Sequence, residues 1–447
     1  MTSEIAPPAG IRRRPANPRM RPTADPAPPD TLAISRAERA RARWRVRRLA
    51  AARIVSAGGS QAAQVALVYQ IYATTGSGSW VVAALFASIS VGGLLGPLSG
   101  WVADRYDRRR VMVASELAAG VVYLAMAITH APGLLVGAAL AATVLGAPFR
   151  AASAAAMPNL VATDDLPWAN GLLGTAFNVA LVAGPFIGGA LVAASGARLV
   201  FAVNAATFVL SAGLIAMTSG AFGGGSTNVA EHHDTRALLA GFRLLLGNRL
   251  LAPLAAASAL AFGAFGAALV IDPALAQSFG AGAVGYGLLT TVWGGGAVRG
   301  ALLAGRTVRA EQAPRAVRWG MTAMAISLGS IVVLPTFALI VAAGAIGGVG
   351  NGFVFIPWLL LVQHHTSDAL RGRVIAAAEA FDQIAFLCGM AVAVPTIELV
   401  GPQRAYGLAG LLLAVAALAA AKAMRHASAP LSPARTTTQA DTTSPPT

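Results

Sequence analysis

Two carboxylates lie inside an apolar stretch near the C-terminus, where charged side chains are costly. Glu379 and Asp382 are the only charged residues between positions 374 and 397, and they are three residues apart. Residues at that spacing share one face of a helix. A carboxyl group at mid-depth in a membrane can take up a proton from one side and release it to the other. The pattern therefore predicts a proton-coupling or substrate-binding role for both residues, with a structural ion pair or a polar cavity wall as the alternative.

A second set of charges lies between two apolar runs near residue 100. It reads Gly100-Trp-Val-Ala-Asp104-Arg105-Tyr-Asp-Arg108-Arg109-Arg110. An aspartate at a helix end can accept hydrogen bonds from the exposed amides of a facing helix N-terminus, where the helix dipole favours an anion. The segment therefore offers Gly100, Asp104, Arg105, Arg108 and Arg109 as candidates for a contact with another helix, with a solvated basic loop as the alternative.

Small residues recur in an apolar run after residue 168. The run contains Gly184-Pro185-Phe-Ile-Gly188-Gly189, preceded by Ala180. Small side chains let two membrane helices approach closely, and a proline bends the helix backbone. The pattern predicts a specialised helix crossing, although ordinary helix packing would also select small residues here.

Further charged residues enter the apolar runs near their ends. We expect Glu116 and Arg150 to form an ion pair that acts as a gate or a structural bridge, with a proton relay as the alternative. Arg53 and Arg299 are expected to extend toward the membrane surface as anchors, and Asp272 is expected to cap the end of its helix.

Seven polar or aromatic residues in the apolar runs are candidates for the lining of a central cavity, although helix packing would account for each equally well. They are Gln61, Gln64, Tyr69, Phe177, Asn178, Asn204 and Gln383.

The composition identifies the elements that must position these residues. Of the 447 residues, 56% are apolar and 11% are charged, against about 25% charged in soluble proteins. Such a chain cannot cover a water-exposed surface, which excludes a soluble enzyme, and it is too apolar for extensive disorder. The net charge of +15 comes from arginines in the N-terminal head and in short loops, a distribution that indicates membrane topology and not nucleic-acid binding.

Twelve apolar segments are long enough to cross a membrane. They lie at about 49–73, 79–101, 111–130, 134–156, 168–194, 198–218, 250–272, 283–304, 317–335, 336–361, 373–397 and 403–424. Arginine clusters fall in alternate loops, which predicts that both termini are cytoplasmic. The expected organisation is a disordered basic head (1–48), a six-helix bundle (49–218), a linker with an amphipathic helix (219–249), a second bundle (250–425) and a disordered tail (426–447).

Other chemistry is not indicated by the sequence. The only lysine is Lys422, so the phosphate-binding loop of ATPases, which requires a lysine, is missing. The single cysteine, Cys388, allows no intramolecular disulfide, and the histidine pairs lack metal-ligand spacing. We expect no enzymatic activity, no metal and no cofactor.

The segment from Gly100 to Arg110 resembles the signature loop of the major facilitator superfamily, Gly-x-x-x-Asp-Arg-x-x-Arg-Arg-Arg/Lys. The resemblance implies that Asp104 contacts the eleventh helix and stabilises the outward-open state. The Gly-Pro-x-x-Gly-Gly segment is similar to the antiporter motif of the drug:proton branch, with Ala180 where that motif often has glycine. Ala147-Pro-Phe-Arg150 and Arg371-Gly-Arg-Val374 are similar to a bacterial branch that contains enterobactin-type exporters and macrolide-efflux proteins.

The resemblance implies an all-α polytopic protein of two pseudo-symmetric six-helix bundles in the bacterial inner membrane. It implies proton-coupled export of a lipophilic or amphipathic small molecule by alternating access. The expected partners are the substrate, protons and the lipid bilayer, with no nucleic acid, and a monomer is expected. A dedicated siderophore or peptide exporter and a non-transporting sensor or scaffold remain as alternatives. Helix one has Ser60, Gln61 and Gln64 where the branch often has an acid, so no proton site is expected there.

Overall fold

Helices make up nearly all of the regular structure. The structure is a computed structural model that describes residues 36–91, 95–220, 222–223, 242–248, 251–366 and 368–427. Most of the predicted linker and the predicted tail lie outside these residues, as does the head before residue 36. In the short described part of the predicted amphipathic helix, residues 242–247 are helical.

The first six helical passes occupy the first half of the described chain. They are α1 (Arg36–Thr75), α2 (Gly78–Leu85 and Gly96–Arg105, with the π-helical turn Phe86–Ser90 between them), α3 (Arg108–Ile128), α4 (Pro132–Leu160), α5 (166–195) and α6 (197–216). The last two passes form the continuous helical stretch Leu166–Ala216, which Gly196 interrupts with φ at 78°. Because that φ lies in the left-handed region, which glycine enters without a steric penalty, the chain reverses direction at Gly196.

The second six passes follow the same plan with short connections. They are α7 (Leu251–Ser278), α8 (Gly282–Thr307), α9 (Ala313–Ser330), α10 (Phe337–His365), α11 (Asp368–Val400) and α12 (Pro402–Ala427). Within the described residues, the predicted all-α fold with twelve helices is confirmed.

Length and apolarity alone mark six of the described helical stretches as able to cross a membrane. They are Arg108–Ile128, Pro132–Leu160, Thr163–Ala216, Leu251–Ser278, Phe337–Val362 and Val374–Val400. The third of these contains two passes, α5 and α6. The other five passes carry more polar residues or, in α2, a change of helix type, and they complete the two bundles.

The N-terminal head differs from the expectation. The sequence predicts disorder up to residue 48, whereas α1 begins at Arg36. Alanine, arginine and glutamate all favour helix. In addition, Val46 and Leu49 are buried against Met112 and Ala156. Local propensity and packing together therefore extend the first helix by three turns beyond the predicted span.

The two bundles meet on one face of the molecule. We call the face where α1 begins and α2 ends the basic face, and the opposite one the distal face. Near the distal face, a Cβ atom added to Gly78 on α2 would lie 3.3 Å from Val394 on α11, and one added to Gly282 on α8 would lie 3.4 Å from the Tyr69 hydroxyl on α1. The largest part of the inter-bundle contact is made by α5 against α8.

Candidate functional site

A cavity of about 550 Å³ lies where α5 of the first bundle meets the second bundle. Its wall is mainly apolar. The polar side chains in that wall are Asn178, Thr290, Asn351, Asp272 and Tyr406. A mostly apolar cleft of this size with a few convergent polar groups is typical of small-molecule sites.

Asp272 is not a helix cap, contrary to the expectation. Its carboxylate is buried and accepts a hydrogen bond from the Tyr406 hydroxyl on α12. Tyr286 on α8 is also fully buried and lies close to the same carboxylate. The pattern of one helix cannot reveal such a partner, because Tyr406 is 134 residues away. Asp272 therefore belongs to the polar part of the cavity wall.

An aromatic group forms another part of the wall. The rings of Phe265 and Trp293 are stacked with centroids 6.5 Å apart, and Phe265 also contacts Phe386 at 5.9 Å. The indole nitrogen of Trp293 is buried and has no hydrogen-bond partner in the described part of the chain. A ligand in this cavity would therefore meet an apolar aromatic surface on this side.

The structure separates the two acids of α11. Asp382 is buried, and its Oδ2 accepts a hydrogen bond of 3.1 Å from the Ser258 hydroxyl on α7. Glu379 and Gln383 are exposed. The two carboxylates therefore have different environments in spite of their shared helix face, and only Asp382 is enclosed by a helix–helix interface.

Glu116 and Arg150 do not form the expected ion pair. Glu116 is only 3% exposed, and its Oε1 accepts a hydrogen bond of 3.1 Å from the Ser56 hydroxyl on α1. Arg150 on α4 is exposed. Glu116 is directed toward Ser56 on α1, and no ion pair of Arg150 occurs among the described residues.

The loop between α2 and α3 is organised by its own charges. Asp104 is half exposed, and Arg108 donates to it over 3.4 Å. Arg108 also donates to the carbonyl of Ala155 on α4 at 2.8 Å. The Asp107 carboxylate accepts from the backbone N–H of Arg110 at 2.9 Å and thereby caps α3.

The other arginines of this loop are more exposed. Arg105 lies over the ring of Trp101 at 5.7 Å, and Arg109 is partly exposed. A Cβ atom at Gly100 would meet nothing within 4 Å. In this conformation the loop is therefore anchored by Arg108, with Asp104 available to a further partner.

The Gly-Pro-x-x-Gly-Gly segment of α5 lies at a junction of three helices. Cβ atoms added to Gly184 and Gly188 would lie 2.6 Å from the Gln61 Cβ atom and 2.5 Å from the Ala62 carbonyl oxygen, both on α1. One added to Gly189 would lie 2.5 Å from the Ala283 carbonyl oxygen on α8. The segment therefore packs on the first bundle with one face and on the second bundle with the other.

The same junction brings a fourth position of the segment into the inter-bundle contact. A Cβ atom added to Gly287 on α8 would overlap the Pro185 carbonyl oxygen. Along α5, Gly184 and Gly188 therefore face α1, whereas Pro185 and Gly189 face α8. Small residues at all four positions let three backbones approach closely.

The remaining cavity candidates lie at different places in the bundle. Asn178 lines the cavity, whereas Asn204 is buried and accepts a hydrogen bond from Thr207 on its own helix, beside Gly59. Gln61 lies at the α1–α5 crossing described above. The side chains of Gln64 and Tyr69 are partly buried on α1, and Phe177 is exposed on α5.

Comparison with known proteins gives one family. Residues 49–271 and 251–445 match the family model of the Major Facilitator Superfamily. The chain is similar to the enterobactin exporter EntS of Shigella boydii serotype 18, with 27% identity over 305 residues that cover 65% of this chain and 68% of that protein. It is also 28% identical over 311 residues to enterobactin exporter EntS of Escherichia coli O1:K1, with the same two coverages.

Solved structures share the fold at low sequence identity. A bacterial homologue of the human lysosomal transporter Spinster aligns with a TM-score of 0.67 and 14% identity, covering 88% of this chain and 98% of that chain. The nucleoside transporter NupG aligns with a TM-score of 0.66 and 14% identity, covering 85% and 99%. The family model matches this chain over residues 49–271 and 251–445, and the solved structures share its fold. The chain therefore belongs to the major facilitator superfamily of membrane transporters.

Proposed function

We propose that this transporter exports lipophilic or amphipathic small molecules, either drugs or secondary metabolites, by proton-coupled alternating access. The cavity between the bundles is the observation that carries the proposal. Its mainly apolar wall suits a lipophilic ligand, and its few polar groups would orient that ligand. Because the cavity is lined by both bundles, a relative movement of the bundles changes both its shape and its access.

The proposed location is the bacterial inner membrane with both termini in the cytoplasm. The arginine clusters of the α2–α3 loop and of the region around Arg43 fall on the basic face, and positive charge marks the cytoplasmic side of membrane proteins. With that orientation, the bundle contact on the distal face closes the periplasmic side, and the cavity of this conformation is reached from the cytoplasm.

Proton coupling is assigned to Asp382. Its carboxylate lies in the α7–α11 interface with Ser258 as its hydrogen-bond donor. A movement of α11 against α7 would change its access to water. Glu379 is the weaker candidate because it is exposed in this conformation.

Asp104 is proposed to act in the outward-open conformation, in which the basic face is closed. In the conformation of the structure, it contacts only its neighbour Arg108 among the described residues. When the basic face closes, α2 would approach α11, and the carboxylate could accept hydrogen bonds from the helix N-terminus near Asp368. Asp104 would then stabilise the outward-open state.

Substrate-driven proton movement in inverted membrane vesicles tests the proposal. We expect ethidium, a lipophilic cation, or enterobactin to dissipate a preformed pH gradient, and we expect uptake to stop with a protonophore. Asp382→Asn should abolish the coupling while binding persists, and Glu398→Gln, an exposed acid on the same helix, is the matched control. Uptake that continues unchanged without a pH gradient would contradict proton coupling.

A dedicated siderophore exporter is the second candidate, favoured by the similarity to the enterobactin exporters. The same vesicles separate the two. A broad exporter would move ethidium and enterobactin, whereas a dedicated one would move enterobactin alone. A protein that moves neither probe nor any other compound of a broad panel would instead support the non-transporting sensor.

A further inference from the structure

A groove of about 300 Å³ lies between α9 and α12 of the second bundle. Ala325 and Ala417 in this groove are buried, whereas Ile326 and Leu418 are 65% and 71% exposed. The α9–α12 groove is therefore open to the outside of the bundle, and it shares no lining residue with the cavity between the bundles. Its lining consists of Arg318, Thr322, Ala325 and Ile326 on α9 and of Ala414, Ala417, Leu418 and Ala421 on α12.

On the distal side, the α9–α12 groove ends where the two helices cross. A Cβ atom added to Gly410 on α12 would overlap the backbone of Gly329 on α9, so the helices are in contact there. Along the axis of α9, Arg318 lies about 16 Å from Gly329 at 1.5 Å per residue. One leaflet contributes half of a hydrocarbon core that is about 30 Å thick. The groove therefore has the length of one leaflet.

Arg318 lies at the other end of the groove, near the start of α9 on the basic face. Its guanidinium carbon lies 5.6 Å from the centroid of the Trp319 ring, and Trp319 is 64% exposed. Tryptophan is enriched where membrane helices meet the lipid headgroups. Among the described residues, no carboxylate pairs with Arg318, and the other lining residues are uncharged. One positive charge therefore lies at headgroup level, at the end of an apolar groove.

We propose that the α9–α12 groove binds an anionic phospholipid from the leaflet on the basic face, with one acyl chain along the groove and the phosphate on Arg318. The planar guanidinium group donates several hydrogen bonds to phosphate oxygens, and basic pockets between membrane helices suit anionic headgroups. A zwitterionic headgroup would bring a second positive charge close to Arg318. This inference does not depend on the proposed transport function.

Native mass spectrometry of the full-length protein in detergent tests the headgroup preference, because it resolves protein with no, one or several bound lipids. The protein is titrated with phosphatidylglycerol and with phosphatidylcholine that carries the same acyl chains. We expect the first lipid bound to be phosphatidylglycerol by a preference of about fivefold, since one arginine near a membrane surface contributes about 1 kcal/mol. sn-Glycerol 3-phosphate should not bind at these concentrations, because it has no acyl chain for the groove.

Variants locate the preference in the groove. Arg318→Gln should reduce it to about one, whereas Arg318→Lys should keep part of it because the positive charge remains. Ala414 is partly buried in the groove, and Ala414→Leu would fill part of the space for the chain. We expect this variant to bind both lipids about threefold more weakly, through lost packing contacts, with their ratio unchanged.

Each variant has a matched control. Arg306→Gln removes an exposed arginine of α8, and Ala391→Leu enlarges an exposed alanine of α11; neither residue lines the groove. Both controls should bind the lipids as the unmodified protein does. Melting temperatures identify any variant that fails to fold, and Arg318→Lys or Ala421→Leu then takes its place in the comparison.

Three results would contradict the proposal. The first is equal affinity of the unmodified protein for the two lipids, or a preference that survives Arg318→Gln. The second is lipid binding by Ala414→Leu at the affinity of the unmodified protein, which would place the acyl chain outside the groove. The third is binding of sn-glycerol 3-phosphate as tight as that of phosphatidylglycerol, which would identify a site for free phosphate groups instead of a lipid site.

Discussion

The Gly-Pro-x-x-Gly-Gly segment of α5 and the loop between α2 and α3 differ in what they contact in this conformation. In the first, Gly188 and Gly189 lie against the backbones of α1 and α8 and join the two bundles near the distal face. In the second, Asp104 is half exposed and contacts Arg108 within its own bundle. Under the proposed alternating access, this difference is expected if the α5 segment acts when the distal face is closed and the α2–α3 loop acts when the basic face is closed.

Gly189→Val should have the largest effect. The new side chain would begin 2.5 Å from the Ala283 carbonyl oxygen, so α5 and α8 must separate. Overpacking of this kind costs roughly 1–3 kcal/mol, and we expect transport in vesicles to fall by about tenfold to a hundredfold. Gly174→Val is the matched control on the same helix, because a Cβ atom there meets nothing within 4 Å. Equal transport by the two variants would show that the α5–α8 contact does not limit the cycle.

Asp104→Asn should have an intermediate effect with a different signature. Because Asp104 has no partner outside its own loop in the described part of this conformation, we expect the melting temperature to stay within the error of the unmodified protein. Transport should fall by about tenfold, since hydrogen bonds to a charged group contribute 1.5 kcal/mol or more when the basic face closes. Asp107→Asn, which alters only the cap of α3, is the control. A lower melting temperature with normal transport would instead show that Asp104 stabilises this conformation and has no role in transport.

Asp165→Asn should have the smallest effect. Its carboxylate pairs with Arg43 at 2.9 Å, but the side chain of Arg43 is 50% exposed. Exposed ion pairs contribute about 0–1 kcal/mol, and Arg43 also keeps its contact with Trp168. We expect a decrease in melting temperature of a few degrees at most and unchanged transport. A large loss of transport would mean that this ion pair within the first bundle takes part in the transport cycle.

The sequence predicted the helices well, because these depend on local patterns. The gating roles of Asp104 and its neighbouring arginines stay predictions. Apolar length defined the passes, and the small residues of α5 did indicate a close helix crossing. The start of α1 was missed because Val46 and Leu49 are buried by residues from α3 and α4, which no local pattern records.

The partners of charged residues were harder to predict. Glu116 pairs with Ser56 and Asp272 with Tyr406, and both hydroxyl partners come from helices distant in sequence. Opposite charge favoured Arg150 as the partner of Glu116, whereas the structure leaves Arg150 exposed. The choice among several chemically suitable partners depends on helix rotation, and that depends on the packing of the whole bundle.

A reversible disulfide across the distal face tests alternating access most directly. In a Cys388→Ser background, cysteines replacing Gly78 and Val394 would be close, because a Cβ atom at Gly78 lies 3.3 Å from Val394. We predict that oxidation links α2 to α11, stops transport in vesicles, and that reduction restores it. Full transport by protein that is completely cross-linked at these positions would contradict the alternation of the two faces.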